Sequence, residues 1–287
     1  MRIVTDTGAD LPPEWLQKHN VVVLPLHITW ENGESADDIG QADFYARLAR
    51  EHNPPTTSQP SAGEFRDVYR RLAAEDPDIL SVHISSGLSG TIGSARAAAE
   101  MVPEASVTVV DTLTLSGAEG WQVRAAVAAA EAGATGAEIV AKLARVRAAT
   151  DTVYTLDTLH YLIRGGRIGR VKGSVGSLLN IKPLIAVEKE GGTYVQVGTG
   201  RGLERAMKKL VDYAATHAGE GAAIMAQVMH AEAPELASEL HALIDERFDA
   251  RWLPLGEISP VLGTHTGPGL VGIAFAPAAA LQGIDLA

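Results

Sequence analysis

Hydroxyl-bearing residues crowd into one short stretch of the chain, His83-Ile-Ser-Ser-Gly-Leu-Ser-Gly-Thr-Ile-Gly-Ser-Ala95. The residues before it, 79–84, alternate apolar and polar and predict a short strand; the alanine-rich run from Ser94 to Met101 predicts a helix. Two chemistries fit a Ser/Gly turn at such a junction. Backbone N–H groups opening a helix can cradle an anion. The same strand–turn–helix geometry can instead expose a catalytic serine in the pattern G-x-S-x-G. Gly87-Leu88-Ser89-Gly90-Thr91 meets that pattern only in part, because Thr91 stands where the last glycine belongs.

A nucleophilic Ser89 would need a base and an orienting acid. Eight of the nine histidines (His19, His27, His52, His83, His160, His217, His230 and His241) stand singly in helix-, strand- or turn-like sequence and read as ordinary surface or core side chains. His265 differs: it lies in Gly263-Thr-His-Thr-Gly-Pro-Gly269, where three glycines and a proline predict an unusual loop. No motif sets an acid between Ser89 and His265, so a hydrolase or acyltransferase using that pair stays open without support. There is no H-x-H, H-E-x-x-H or EF-hand pattern and no cysteine, and no metal or cofactor is expected. A second hydroxyl-rich stretch, Asn53-Pro-Pro-Thr-Thr-Ser-Gln-Pro-Ser61, reads as a loop between helices. Ser61 with Glu64 fits a capping box, which leaves Thr56, Thr57 and Ser58 free to meet a ligand. Thr57, Ser89, His265 and the amides of a helix start can hold a carboxylate; they are poorly equipped to activate anything.

These residues need elements to position them. In the first half, strand-like segments (2–5, 21–30, 79–84, 106–110) alternate with helix-like ones (42–51, 63–75, 116–131, 136–150), which implies parallel pairing in an α/β domain. Ligands of such sheets sit beyond the carboxyl ends of the strands. That rule gathers Asp6-Thr7, the 85–91 turn and Asp111-Thr112 on one edge. Past residue 150 come strands at 182–187, 193–197, 222–229, 251–257 and 270–275, with helices at 201–217 and 234–248. The expected architecture is therefore α/β in two domains, a parallel-sheet domain over 1–155 and a second α/β domain over 156–287. Arg201 opens the predicted 201–217 helix, where the helix dipole disfavours a cation.

The 287 residues are 46% hydrophobic and 21% charged, with a formal net charge of −11. That balance suits a globular protein and argues against nucleic-acid binding, which needs a basic field. Arg164, Arg167, Arg170 and Lys172, interleaved with Gly165, Gly166, Gly169 and Gly173, read as a solvated basic face. The N-terminus enters a strand-like run without an apolar leader, and no apolar stretch reaches spanning length. A cytoplasmic protein with no stable membrane insertion is the expectation.

Eight segments, in order, resemble the DegV family of fatty-acid-binding proteins, the carrier subunits of bacterial fatty-acid kinases. They are TDTGADLP, PPTTSQPSAGEF, ISSGLSGTIGSA, VVDTLTLSGAEG, TLDTLHYLIRGGRIG, LLNIKPLI, GTGRGLERA and HTGPG, spread from the N-terminus to Gly269. A small departure is Ala118, at a position the family often fills with glycine or a larger residue. The resemblance implies two α/β domains with an acyl chain buried in a tunnel near their interface. It implies a non-enzymatic carrier that presents a long-chain fatty acid to an ATP-dependent kinase for acyl-phosphate formation. It assigns the carboxylate to Thr57 and Ser89, the head group to His265, and the kinase contact to Arg201. The energetics fit: a sixteen-carbon chain buries about 14 methylenes and gains about 11 kcal/mol before association costs. Two hydroxyls then need only orient the head group.

Overall fold

The computed structural model describes residues 1–51, 53–168 and 180–286. His52, and Gly169, Arg170, Lys172 and Gly173 of the basic segment, lie outside the described residues. The first half runs β1 (Arg2–Asp6), α1 (Pro13–Lys18), β2 (Val22–Leu24), β3 (His27–Thr29), α2 (Gln41–Leu48), β4 (Thr56–Ser58), α3 (Ala62–Ala73), β5 (Asp78–His83), α4 (Thr91–Glu100), β6 (Ser106–Asp111), α5 (Ser116–Glu131) and α6 (Gly136–Ala149). The second continues with β7 (Asp151–Thr155), α7 (His160–Arg164), β8 (Ile181–Val187), β9 (Tyr194–Arg201), α8 (Leu203–Ala218), β10 (Ala223–His230), α9 (Pro234–Asp245), β11 (Asp249–Trp252), β12 (Gly256–Glu257), α10 (Pro260–Thr266) and β13 (Val271–Pro277).

The first sheet has the order β2-β1-β5-β6, and every pairing in it is parallel. Its strands carry apolar side chains on both faces, as a sheet covered by helices requires. Successive residues of β1 go to opposite sides: Val4 packs with Phe65, Tyr69 and Ala95 of α3 and α4, and Ile3 with Trp121, Ala125 and Ile139 of α5 and α6. The second sheet joins β7 to β13 in the order β11-β10-β13-β7-β8-β9, with β12 also against β10. Here β10 pairs in parallel with β11 and β12, and the other pairings are antiparallel. Helices α8 and α9 cover one face through Met207, Leu210, Leu240 and Ile244.

Between the two sheets lies α5. Its sequence, SGAEGWQVRAAVAAAE, offers no polar face, and its residues from Ser116 to Val127 are all buried. Ala274 and Ala276 of β13 belong to the same core cluster as Ala118, Trp121 and Ala125. Trp121 Nε1 also donates to Gln227 Oε1 of β10 at 2.8 Å. Small side chains let helix and sheet approach closely, and this helix joins the domains.

The fold is α/β with a parallel N-terminal sheet and a second sheet-and-helix domain, as expected. Several local expectations change. The 21–30 segment is not one strand but β2 in the main sheet and β3 in a ribbon with β4, because Pro25 has no N–H to continue a ladder. The 53–61 segment contains β4, whose Thr57 pairs with Ile28. By pairing, β7 belongs wholly to the second sheet, so the change of sheet falls between Ala149 and Asp151, ahead of the expected division at 155/156. Arg201 is the last residue of β9, opposite Ile181, and does not open a helix; α8 begins at Leu203 after Gly202.

The Ser61–Glu64 capping box is present: Glu64 N donates to Ser61 Oγ at 3.2 Å, and Ser61 N to Glu64 Oε2 at 2.8 Å. Ser61→Ala should therefore cost about 1 kcal/mol of stability. A urea unfolding curve should show a lower midpoint with unchanged slope, and ligand binding should not change.

Candidate functional site

The carboxyl end of the first sheet is held by one buried carboxylate. Asp6, ending β1, accepts from Gly8 N at 2.8 Å through Oδ1; its Oδ2 accepts from Ile84 N at 3.1 Å and lies 2.9 Å from His83 Nδ1. The other ring nitrogen, Nε2, lies 2.6 Å from Ser81 Oγ. Ser81 Oγ is in turn 2.8 Å from Tyr69 Oη. Asp6, His83 and Ser81 have the composition of a catalytic triad, but all are buried and none lines the two cavities described below; they brace β1 against β5. Sequence reading gave His83 no special place, because its partners come from β1, α3 and β5.

The serine turn follows directly. Ser85 N donates to Thr114 O at 2.9 Å, and Ser85 Oγ donates to Gly192 O, in the β8–β9 connection, at 2.8 Å. Leu88 N and Ser89 N both donate to Ser85 O at 3.0 Å. Ser89 Oγ sits 2.8 Å from Thr91 Oγ1 and accepts from Thr91 N at 3.3 Å, a serine turn leading into α4. The hydroxyl is thus held at a helix start, with no histidine bonded to it.

His265 lies in the last turn of α10 and not in a loop; the irregular backbone begins one residue after the helix, at Gly267 with φ 75°. Its Nε2 is 2.8 Å from Thr57 Oγ1 of β4, a bond between the two domains. Gly165 packs on the other edge of the ring, where a Cβ would stand 2.1 Å from Nδ1. Nδ1 is buried without a partner. Burial, and then the charge of Arg167, push the His265 pKa down to about 4, so the ring is neutral at neutral pH. Among the described residues no acid is hydrogen-bonded to the ring, and the ring makes no hydrogen bond to Ser89.

Thr57, Ser89 and His265 line one cavity, whose polar end also includes Ser58, Gln59 and Arg167. Arg167 is half-buried there; its Nη1 donates to Gly165 O at 2.8 Å and its Nε to Leu88 O at 3.4 Å. Sequence reading placed it on a solvated basic face. The signal that could have singled it out is Gly165-Gly166, which lets the chain turn against the imidazole. Leu115, Tyr194 and Leu262 are shared with an inner cavity walled by Leu156, Leu162, Ile185, Ile258 and Leu270. Polar and apolar ends are thus contiguous, and both lie between the domains. Arg201 is exposed and lines neither cavity.

Two further acids belong to this region. Asp10, in the left-handed conformation at φ 48°, accepts from Ser116 Oγ at 2.6 Å and from Ser259 N, at the start of α10, at 3.0 Å. Burial raises its pKa to about 7 against those hydrogen bonds. Glu119 of α5 is fully buried with both oxygens unpartnered; burial, followed by the charges of Asp6, Asp10 and Asp111, pushes its pKa well above the usual range. Among the described residues no group of three or more His, Asp or Glu side chains could hold a metal ion. No helix among them is long and apolar enough to cross a membrane.

A family model described as "Uncharacterised protein, DegV family" matches residues 1–278. The chain belongs to the DegV family. A DegV domain-containing protein of Deinococcus radiodurans is 35% identical over 278 residues, covering 96% of each chain. Among solved structures, a DegV lipid-binding protein from Thermotoga maritima superposes with a TM-score of 0.87 at 31% identity, over 96% of this chain and 97% of that one. A fatty-acid-binding DegV family protein from Thermus thermophilus superposes with a TM-score of 0.87 at 32% identity, over 96% and 100%. This DegV chain thus shares the whole architecture of proteins that bind lipid.

The depressed His265 pKa has a measurable consequence. The unfolded chain binds a proton there below about pH 6.5, the folded chain only near 4, so this residue lowers stability as the pH falls through that window. His265→Gln should remove that loss. Relative to wild type, the variant's unfolding free energy should rise by about 2–3 kcal/mol between pH 7 and 4, read from denaturant curves.

Proposed function

We propose that this DegV chain binds a long-chain fatty acid, with its carboxylate at the polar end of the interdomain cavity and its chain in the apolar end. The observation that carries the reading is the contiguity of the two cavities. Hydroxyls, a neutral imidazole and a guanidinium stand at one end, leucine and isoleucine at the other. Solved DegV proteins with 31% and 32% identity are described as binding lipid and fatty acid. Ser89 and Thr57 donate hydrogen bonds to the carboxylate, and Arg167 supplies the compensating charge. His265, neutral and bonded to Thr57 through Nε2, fixes that hydroxyl.

The same reading makes the chain a carrier. The bound carboxylate, at the mouth of the cavity, would be presented to an ATP-dependent kinase. A carboxylate oxygen attacks the γ-phosphorus of ATP, ADP leaves, and the acyl phosphate stays on the carrier. A guanidinium exposed at the end of β9 suits recognition of a carboxylate or phosphate on the partner. Arg201 is assigned that contact.

Organic extracts of natively purified protein, analysed by mass spectrometry, should contain near-stoichiometric long-chain fatty acid. Lipid-free extracts with no uptake of added palmitate or oleate would overturn the reading. Ser89→Ala and Thr57→Ala should each weaken binding by about 0.5–1.5 kcal/mol, and the double variant by less than the sum, because both hydroxyls serve one carboxylate. Arg201→Ala should leave lipid binding and thermal stability unchanged while sharply reducing acyl-phosphate formation with a cognate kinase and ATP. Undiminished phosphorylation would remove Arg201 from the partner surface, and lost lipid binding would place it in the pocket.

A further inference from the structure

Behind Ser89 stands Ser85, fully buried and lining neither cavity. The amides of Leu88 and Ser89 both donate to Ser85 O at 3.0 Å, and Gly87 N donates to Ser85 Oγ at 3.1 Å. The place of the serine turn therefore follows the place of Ser85, which two bonds fix. Ser85 N donates to Thr114 O of the first domain at 2.9 Å, and Ser85 Oγ donates to Gly192 O of the second at 2.8 Å. The second anchor is a close fit. A Cβ on Gly192 (φ 62°) would stand 2.0 Å from Ser85 Oγ, and a Cβ on Gly87 would stand 2.2 Å from Gly191 O. Only glycine lets the two turns meet backbone to backbone. Glu188 braces the far side: its Oε1 accepts from Gly191 N at 3.0 Å and from Thr193 Oγ1 at 3.2 Å, and its Oε2 accepts from Glu190 N at 3.1 Å. Glu188 also lines neither cavity.

Resting on the fatty-acid reading above, we propose that Ser85 is a positioning residue for the ligand carboxylate. Locked to the Glu188–Thr193 turn of the second domain, it sets where Ser89 meets the head group. The grip on the carboxylate is thus built by both domains, although its two hydroxyls come from one.

The test uses full-length, delipidated protein, a displacement titration with palmitate, and the carbon-13 resonances of bound palmitate labelled at C1 or at C16. Ser85→Ala leaves Gly192 O without its donor and should lower the unfolding midpoint. A merely structural role would do the same, so binding is the readout. Ser85→Ala should weaken palmitate about two- to tenfold, and by no more than Ser89→Ala does. Added to Ser89→Ala, it should change affinity by less than about twofold, because its effect passes through Ser89. The C1 resonance should move in the same direction as in Ser89→Ala, and the C16 resonance should stay in place. Unchanged palmitate affinity, full additivity with Ser89→Ala, or a C16 shift as large as that of C1 would each overturn the proposal and leave the fatty-acid reading intact. Wild-type protein that takes up no palmitate would overturn both. If Ser85→Ala fails to fold, Glu188→Ala, which loosens the same turn from outside the cavity, is held to the same three readouts.

Discussion

A helix without a polar face has to be covered on every side, and α5 meets that demand by drawing two sheets over itself. Its alanines and glycines bring the parallel sheet close on one flank and β13 with β10 on the other. One polar tie, from the Trp121 indole to the Gln227 amide, crosses that contact. The domains are therefore fixed in register at α5, and the space left between them beyond its N-terminus becomes the cavity. The β1–α1 and β6–α5 connections, the serine turn and α10 all end there because α5 begins there.

Electrostatics at that end follow from the same closure. The chain carries a net charge of −11, yet its proposed ligand is an anion. The acids nearest the cavity do not contribute in proportion to their number. Asp10 is raised to about 7, and the Glu119 pKa is pushed well above the usual carboxylate range by burial and by its acidic neighbours. Desolvation, which would penalise a cluster of carboxylates, here removes charge from them. Arg167 lines the head-group end, while the imidazole beside it is uncharged.

What the sequence revealed depended on how local the determining contacts were. The Ser61 cap was legible because donor and acceptor lie three residues apart. The edge shared by Asp6, the serine turn and Asp111 was legible because parallel sheets place ligands at one end. Three things were not. Pro25 breaks a strand-like run whose second half pairs with β4, a partner fixed only by folding. The Gly/Pro punctuation around His265 reads as a loop, whereas a seven-residue helix forms there, anchored by Asp10 at Ser259 N and by Thr57 at the imidazole. Arg167 was hidden in a basic run, because nothing in the sequence sets it apart from its neighbours there. The resemblance to the DegV family named Thr57, Ser89 and His265; it did not show that Thr57 and His265 bond to each other and Ser89 to Thr91.

The division of the cavity wall between the two halves of the chain has an evolutionary corollary. The hydroxyls at the polar end, Thr57 and Ser89, belong to the N-terminal domain. Apart from Leu115 and Ser116, the residues of the inner cavity come from the C-terminal domain. Substitutions among Leu156, Ile185, Ile258 or Leu270 can reshape the inner chamber without touching the serine turn or β4. Paralogues within one genome could therefore diverge in which chains they accept while inheriting a common head-group grip. Duplication of a single ancestral gene would then furnish a set of proteins that differ in the inner chamber and share the polar end.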